Sequence, residues 1–104
     1  MAGSWAADPP ERKGVWVRGR VGYWVGWFGY RNGEPSAEQE LAEAAIRLDG
    51  LGDRRSVVDC LDLLGCIAVQ RGDAAPAVRM FAVARRIREI TGLVRHRYLD
   101  AHVA

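Results

Sequence analysis

The chain has 104 residues, of which 49% are hydrophobic and 27% charged, which fits one small globular domain and excludes wholesale disorder. Its net charge of +2 gives no electrostatic case for binding nucleic acid or an acidic membrane surface. Cys60 and Cys66 have the spacing of neither a redox pair nor a disulfide framework, so we expect reduced thiols, with Cys60 buried, in a cytoplasmic protein.

The N-terminal segment MAGSWAADPPERKG (residues 1–14) is small, polar and broken by prolines. It lacks the apolar stretch of a signal peptide. We therefore interpret residues 1–14 as a disordered tail and residues 15–104 as one domain. The longest nearly unbroken apolar run, 21–30, is about half the length that a membrane-spanning helix needs, so no membrane segment is predicted.

The stretch GYWVGWFGYRNG (22–33) combines four glycines with five aromatic residues. The glycine spacing matches neither a dinucleotide-binding loop nor a P-loop. Asn32-Gly33 is a hairpin-turn signal, but the next segment, EPSAEQELAEAAIRL, has helical composition, so the strand would lack a partner. In that segment Pro35 suits a first helical turn, and Ser36 with Gln39 has the spacing of a capping box.

An internal repeat decides among these alternatives. A shift of 39 residues places 24–53 on 63–92, and the apolar positions correspond throughout. The identical pairs are Gly26/Gly65, Gly33/Gly72, Ala45/Ala84 and Arg47/Arg86. A fixed period of this size indicates stacked supersecondary units. We assign repeat 1 to about 16–53, repeat 2 to about 55–92 and a terminal helix to 93–104.

Repeat 2 is the clearer pair of helices. Its apolar residues follow helical spacing in two runs, 57–68 and 77–90, separated by Gly72-Asp73, where Asp73 can cap the second helix. By position, the stretch 22–33 is then the first helix of repeat 1, and Gly33 is the turn between its two helices. Gly22, Gly26 and Gly29 are expected to allow a neighbouring helix to approach closely.

The segment LLGCIAVQRGDAAPAVRMFAVA (63–84) resembles a tetratricopeptide repeat. The signature positions are occupied by Leu61, Leu64, Gly65, Ala68, Ala77, Phe81 and Ala84, whereas Glu89 replaces the final proline. The period and the connector LGDRRSVVDCL (51–61) resemble the longer repeats of bacterial signal-transduction ATPases and of maltose-regulator-type (LuxR-class) transcription factors. The resemblance covers about 18–104 and includes neither the nucleotide-binding nor the DNA-binding domain of those regulators.

The resemblance implies an all-α, right-handed solenoid fragment of two helix hairpins and a C-terminal capping helix. First-helix side chains would line its concave face, and these positions are Arg20, Tyr23, Trp27, Tyr30, Arg31, Asp59, Asp62, Cys66, Val69 and Gln70. The implied function is non-catalytic binding of a peptide or partner helix, in a fragment or detached sensor part of a bacterial transcriptional regulator.

Two alternatives remain open for the aromatic residues of 22–30, which can line the groove or pack as core. Two repeats leave the front edge of repeat 1 uncovered, with Val21, Trp24 and Phe28 nearby, so the isolated chain is expected to self-associate or to dock on a larger repeat array.

Catalysis is not expected, because His96 and His102 have no evident nucleophile and Ser36 and Ser56 resemble helix caps. The sequence predicts no cofactor, no metal and no small-molecule substrate. An alternative nucleic-acid-binding function rests on a local basic cluster, although a solvated helix face is the simpler interpretation of its first three members. That cluster consists of Arg85, Arg86, Arg88, Arg95, His96 and Arg97.

Overall fold

The structure, a computed structural model, describes residues 10–95. This range contains four helices: α1 (Pro10–Arg31), α2 (Ala37–Gly50), α3 (Arg54–Gln70) and α4 (Ala74–Thr91). No strand occurs within the described range. The all-α prediction is therefore confirmed for this part of the chain, and the hairpin alternative for 22–33 is excluded.

Two predicted boundaries differ from the structure. Helix α1 begins at Pro10, so the prediction of a tail up to residue 14 is wrong for its last five residues. Proline fits a first helical position, where a missing N–H leaves no bond unmade. At the other end, Gly92 ends α4 with φ 75°, and 93–95 are not helical. The predicted terminal helix thus fails for those three residues, and 1–9 and 96–104 lie outside the described residues.

The glycines of α1 form the face that packs on α2. Successive contacts in antiparallel order are Gly19 with Leu48, Gly22 with Ala44, Gly26 with Leu41 and Gly29 with Ala37. A Cβ atom at Gly19 would lie 2.8 Å from Leu48 Cγ, a separation at which one of the two helices or the leucine side chain would have to shift. The predicted close approach of the neighbouring helix is therefore confirmed, and it explains why α1 carries residues that weaken an isolated helix.

Helix α3 lies at the centre of the described fold and packs against α1, α2 and α4. Eleven of the 17 residues of α3 are buried, as expected for a central helix, whereas α4 buries only Ala77 and Ala84. The core joins Tyr23 and Trp27 of α1, leucines of α2 and residues of α3 including Leu63. Two helix pairs are thus held together mainly through α3.

The turns use left-handed glycines, as expected at Gly33 and Gly72, with φ of 70° and 79°. The predicted capping box is wrong, because Ser36 makes no side-chain cap hydrogen bond and Gln39 Nε2 donates to Glu43 Oε1 at 3.3 Å. Among the described residues, no helix is both long and apolar enough to cross a membrane.

The predicted caps of the second repeat also differ. Asp73 occupies the N-cap position of α4 but makes no cap hydrogen bond through its side chain; its carboxylate lies 3.6 Å from Arg71 Nε. Ser56 is not a cap either. Asp53 caps α3 instead, accepting from the Ser56 backbone N–H at 3.1 Å and from Ser56 Oγ at 2.7 Å.

Candidate interaction surfaces

The predicted groove face of α1 packs against α3. Tyr23 is 0% exposed and Trp27 5% exposed, and both belong to the hydrophobic core. Half-buried Arg20 donates from Nη1 to Ser56 Oγ at 2.9 Å. The groove assignment of Tyr23 and Trp27 is therefore wrong in this structure, and the alternative of core packing holds for these two aromatic residues.

The predicted groove face of α3 is also largely covered, since Asp59, Asp62 and Cys66 are buried. The two carboxylates face arginines that follow later in the chain. Arg88 Nη2 lies 2.6 Å from Asp62 Oδ2, and Arg95 Nε lies 3.4 Å from the same oxygen. None of these three α3 side chains is exposed to a partner, so their groove assignment is likewise corrected.

The repeat register gives the physical reason for both corrections. The 39-residue shift carries Arg20, Tyr23 and Trp27 onto Asp59, Asp62 and Cys66. In α1 these positions form the face that meets the next first helix, α3. In α3 the same positions receive Arg88 and Arg95. The repeat in the sequence correctly identifies equivalent positions in α1 and α3. In both helices, however, these positions pack against the element that follows and do not line an open groove.

The predicted solvated basic face does not include Arg88. Its side chain is only 11% exposed, and its guanidinium also lies 3.4 Å from Asp59 Oδ1. Burial of charges of both signs in contact offsets part of the cost of removing each from water. The predicted basic cluster therefore does not form one exposed nucleic-acid-binding surface, because Arg88 and Arg95 have acidic partners within the fold.

The remaining members of that cluster are exposed or undescribed. Arg85 and Arg86 lie on the surface of α4, where both pair with Glu89 at 3.6 and 3.8 Å. His96 and Arg97 lie outside the described residues. Exposed pairs of this kind contribute little to stability, so Arg85 and Arg86 fit the solvated face that the sequence indicates.

Cys60 and Cys66 are free and buried. Burial raises the pKa of the Cys60 thiol from its usual 9.0 to about 12, with the neighbouring Asp59 carboxylate acting in the same direction. Burial also raises the pKa of Cys66, although a hydrogen bond with the Tyr30 hydroxyl opposes this change. Both thiols are therefore protonated at neutral pH, which makes them poor nucleophiles.

Apart from half-buried Arg20, the predicted groove residues that remain accessible lie near one end of the helices. Arg31, Val69 and Gln70 are exposed and Tyr30 is half-buried. Tyr30 and Gln70 line a cleft of about 460 Å³ between the α1–α2 turn and the end of α3. We call this cleft the turn-end cleft. Its other lining residues are Gly33, Glu34, Pro35, Ala37, Glu38, Ile67 and Arg71.

A second surface is apolar and lies on the side of α1 that faces neither α2 nor α3. Val17, Val21, Trp24, Val25 and Phe28 form this surface, with exposed fractions between 38% and 58%. We call it the outer face of α1. Trp24 packs edge-on against the Tyr23 ring, with ring centroids 5.1 Å apart. The predicted exposure of the front edge of repeat 1 is therefore confirmed.

Comparisons with known proteins found no match for this chain. No protein-family model, curated protein or solved structure matches it. The relation to tetratricopeptide repeats consequently stays a prediction. Within residues 10–95, no group of three or more His, Cys, Asp or Glu side chains is arranged to hold a metal ion.

Proposed function

We propose that the chain is a non-catalytic protein–protein interaction module that binds a short peptide at the turn-end cleft. The observation that carries this proposal is the meeting of Tyr30 and Gln70, one from each predicted repeat, in a single accessible cleft. Two further predicted groove residues, Arg31 and Val69, are exposed next to them in the chain. The accessible part of the predicted groove is thus concentrated at one end of the helices.

The chemistry of the turn-end cleft fits a peptide with one apolar anchor. Ala37 and Ile67 are buried and supply an apolar floor. The Gln70 amide supplies hydrogen-bonding groups of the kind that fix a ligand's orientation, and the Tyr30 hydroxyl, which is hydrogen-bonded to Cys66, keeps acceptor capacity for a further hydrogen bond. The volume of about 460 Å³ lies within the usual range for ligand sites, and it accommodates a few side chains.

One wall of the cleft is held by an ion pair. Arg71 Nη2 lies 2.5 Å from Glu38 Oε2, which links the end of α3 to the start of α2. Glu34 stands at the same rim without a described ion-pair partner among residues 10–95. We therefore propose that a basic residue of the peptide lies beside Glu34. The resemblance to bacterial regulators supports a setting in signalling, as a fragment or detached sensor part of such a protein.

The test begins with selection of peptides from a random displayed library, followed by titration into the ¹⁵N-labelled chain. We expect chemical-shift changes concentrated at Tyr30, Glu34 and Gln70. Gln70→Ala should weaken binding about fivefold, because one hydrogen bond contributes about 1 kcal/mol. Gln39→Ala, a change at another exposed glutamine, is the matched control and should leave affinity unchanged.

The outcome that contradicts the proposal is equally concrete. Selected peptides that shift the resonances of α4 or of the outer face of α1, with no response at the cleft, would place binding elsewhere. A library that yields no peptide dependent on Gln70 would do the same.

A further inference from the structure

The outer face of α1 occupies a particular place in the repeat. The 39-residue shift carries Val17, Val21, Trp24, Val25 and Phe28 onto Ser56, Cys60, Leu63, Leu64 and Ile67. All five positions of α3 are buried, and four of them belong to the core that α3 shares with α1 and α2. The outer face of α1 is therefore the face that, in α3, is covered by a preceding helix pair.

Head-to-tail stacking of copies would need a free face at the far side of α3. That face carries Asp59, Asp62 and Cys66, which are buried within each chain. Another copy therefore cannot use it to cover its own α1 without displacing Arg88 and the ion pairs described above. A symmetric contact, in which the same surface serves both copies, avoids this requirement.

The outer face of α1 is complementary to itself in one orientation. Positions 17, 21, 24 and 28 are spaced by four, three and four residues, which is the pattern of a two-helix seam. Small side chains, Val17 and Val21, precede large ones, Trp24 and Phe28. In an antiparallel pair centred between Gly22 and Tyr23, Val17 meets Phe28 and Val21 meets Trp24. A parallel pair would instead set valine against valine and ring against ring.

We propose that a second copy of this chain binds the outer face of α1, forming a two-fold symmetric dimer through antiparallel α1 helices. Val25 flanks the seam and enlarges the apolar contact. One helix face is smaller than the roughly 800 Å² per partner of a standard interface. The dissociation constant is accordingly expected in the micromolar range, roughly 1 to 100 µM.

Sedimentation equilibrium across about 1 to 300 µM full chain tests the dimer. The wild-type chain should pass from monomer to dimer over this range. Val21→Glu places a carboxylate in the seam of each copy and should weaken dimerisation at least about tenfold. The matched control is Ile46→Glu on α2, where the side chain is also exposed; it should dimerise like the wild type. Because both positions are exposed, both variants should remain folded by circular dichroism.

Cross-linking tests the orientation of the two helices. A mixture of the Val17→Cys and Phe28→Cys chains should join through a bis-maleimide reaching about 10 Å, the spacing of packed helix axes. Val17→Cys alone should not be cross-linked to itself. In the antiparallel dimer residue 17 of one copy lies opposite residue 28 of the other, so the two copies of residue 17 are eleven residues, or about 16 Å, apart along the helix axis. The native thiols are buried, and burial raises the pKa of both, so we expect the wild-type chain treated with the same reagent to give no cross-linked dimer.

Several results would overturn the inference. A chain that remains monomeric at the highest concentration has no such interface. Dimers that persist in Val21→Glu use another surface, and self-linked Val17→Cys dimers have parallel helices. A seam that forms only with a different helical-repeat protein would replace the second copy with that partner. The turn-end cleft lies apart from this seam, so peptide affinity measured with Val21→Glu separates failure of the dimer from failure of the proposed function.

Discussion

Arg88 holds its charge inside the protein, between α3 and α4, where it meets the carboxylates of Asp59 and Asp62. Arg88→Met keeps much of the side-chain volume but leaves two buried carboxylates without this cation. Removing one partner of a buried ion pair costs about 3–5 kcal/mol. We therefore expect a loss of that order in the free energy of unfolding, measured by urea denaturation.

Arg86→Met is the control for the same chemical change at the surface. Arg86 is exposed and lies 3.8 Å from Glu89, so the change should cost no more than about 0.5 kcal/mol. Equal effects of the two substitutions would contradict a structural role for Arg88. A chain that becomes more stable with methionine at 88 would show that burial of this charge costs more than its ion pairs return.

Burial of Cys60 makes the free energy of unfolding decrease as the pH rises in the alkaline range. Burial raises the pKa of its thiol from 9.0 to about 12, so the folded state disfavours the thiolate. The stabilisation is complete below pH 9 and is lost as the pH rises toward 12. By pH 11 we expect Cys60 to contribute a loss on the order of 2 kcal/mol relative to pH 8, so the wild-type chain should lose more stability over this range than Cys60→Ala, which keeps the Cys66 thiol. Parallel pH profiles of the two chains, from urea denaturation, would contradict this expectation.

At the scale of the helix, α1 shows why the same substitution can have opposite effects. A Cβ atom at Gly26 would overlap Leu41 Cγ, whereas one at Gly14 would meet only the Arg18 guanidinium at 3.7 Å. Gly26→Ala should therefore cost about 1–3 kcal/mol through overpacking. Gly14→Ala should instead stabilise the fold by about 0.5–1 kcal/mol through helix propensity. Thermal unfolding of both variants checks the sign, and stabilisation by Gly26→Ala would mean that α2 can move away.

The helices could be predicted from the sequence because their periodicity repeats along the chain. Gly26 and Gly65 occupy one position of that period, and each meets a large side chain of the following helix, Leu41 and Phe81. The start of α1 was missed because Pro10 is a helix breaker in the interior but acceptable in the first turn. The cap at Asp53 was missed because its neighbour Ser56 carries equally suitable chemistry.

The sequence identifies which residues share the predicted groove face, but it does not identify the element that packs against that face. Periodicity assigns Tyr23 and Trp27 to one face of α1, yet it does not state which element covers that face. Only tertiary packing puts α3 there, through contacts such as Arg20 with Ser56. The buried ion pairs escaped prediction for the same reason, since Arg88 and Asp62 are 26 residues apart in sequence.

For the whole molecule, the arrangement of helices predicts an order of local opening. Helix α3 packs on three helices, whereas α4 packs mainly on α3 and buries only Ala77 and Ala84. Local stability follows the extent of buried contacts. We therefore expect amide hydrogen exchange to be slowest in α3 and fastest in α4, with α1 and α2 between them.

Hydrogen exchange read by mass spectrometry also tests what joins α4 to the remainder of the fold. Because Arg88 links α4 to Asp59 and Asp62 of α3, Arg88→Met should accelerate exchange in α4 far more than in the α1–α2 pair. Arg86→Met should leave the pattern unchanged. Exchange that rises equally in all four helices would show that they open as one cooperative unit. Faster exchange in α1 than in α4 of the wild-type chain would mean that the glycine-mediated contact with α2 is the weaker junction.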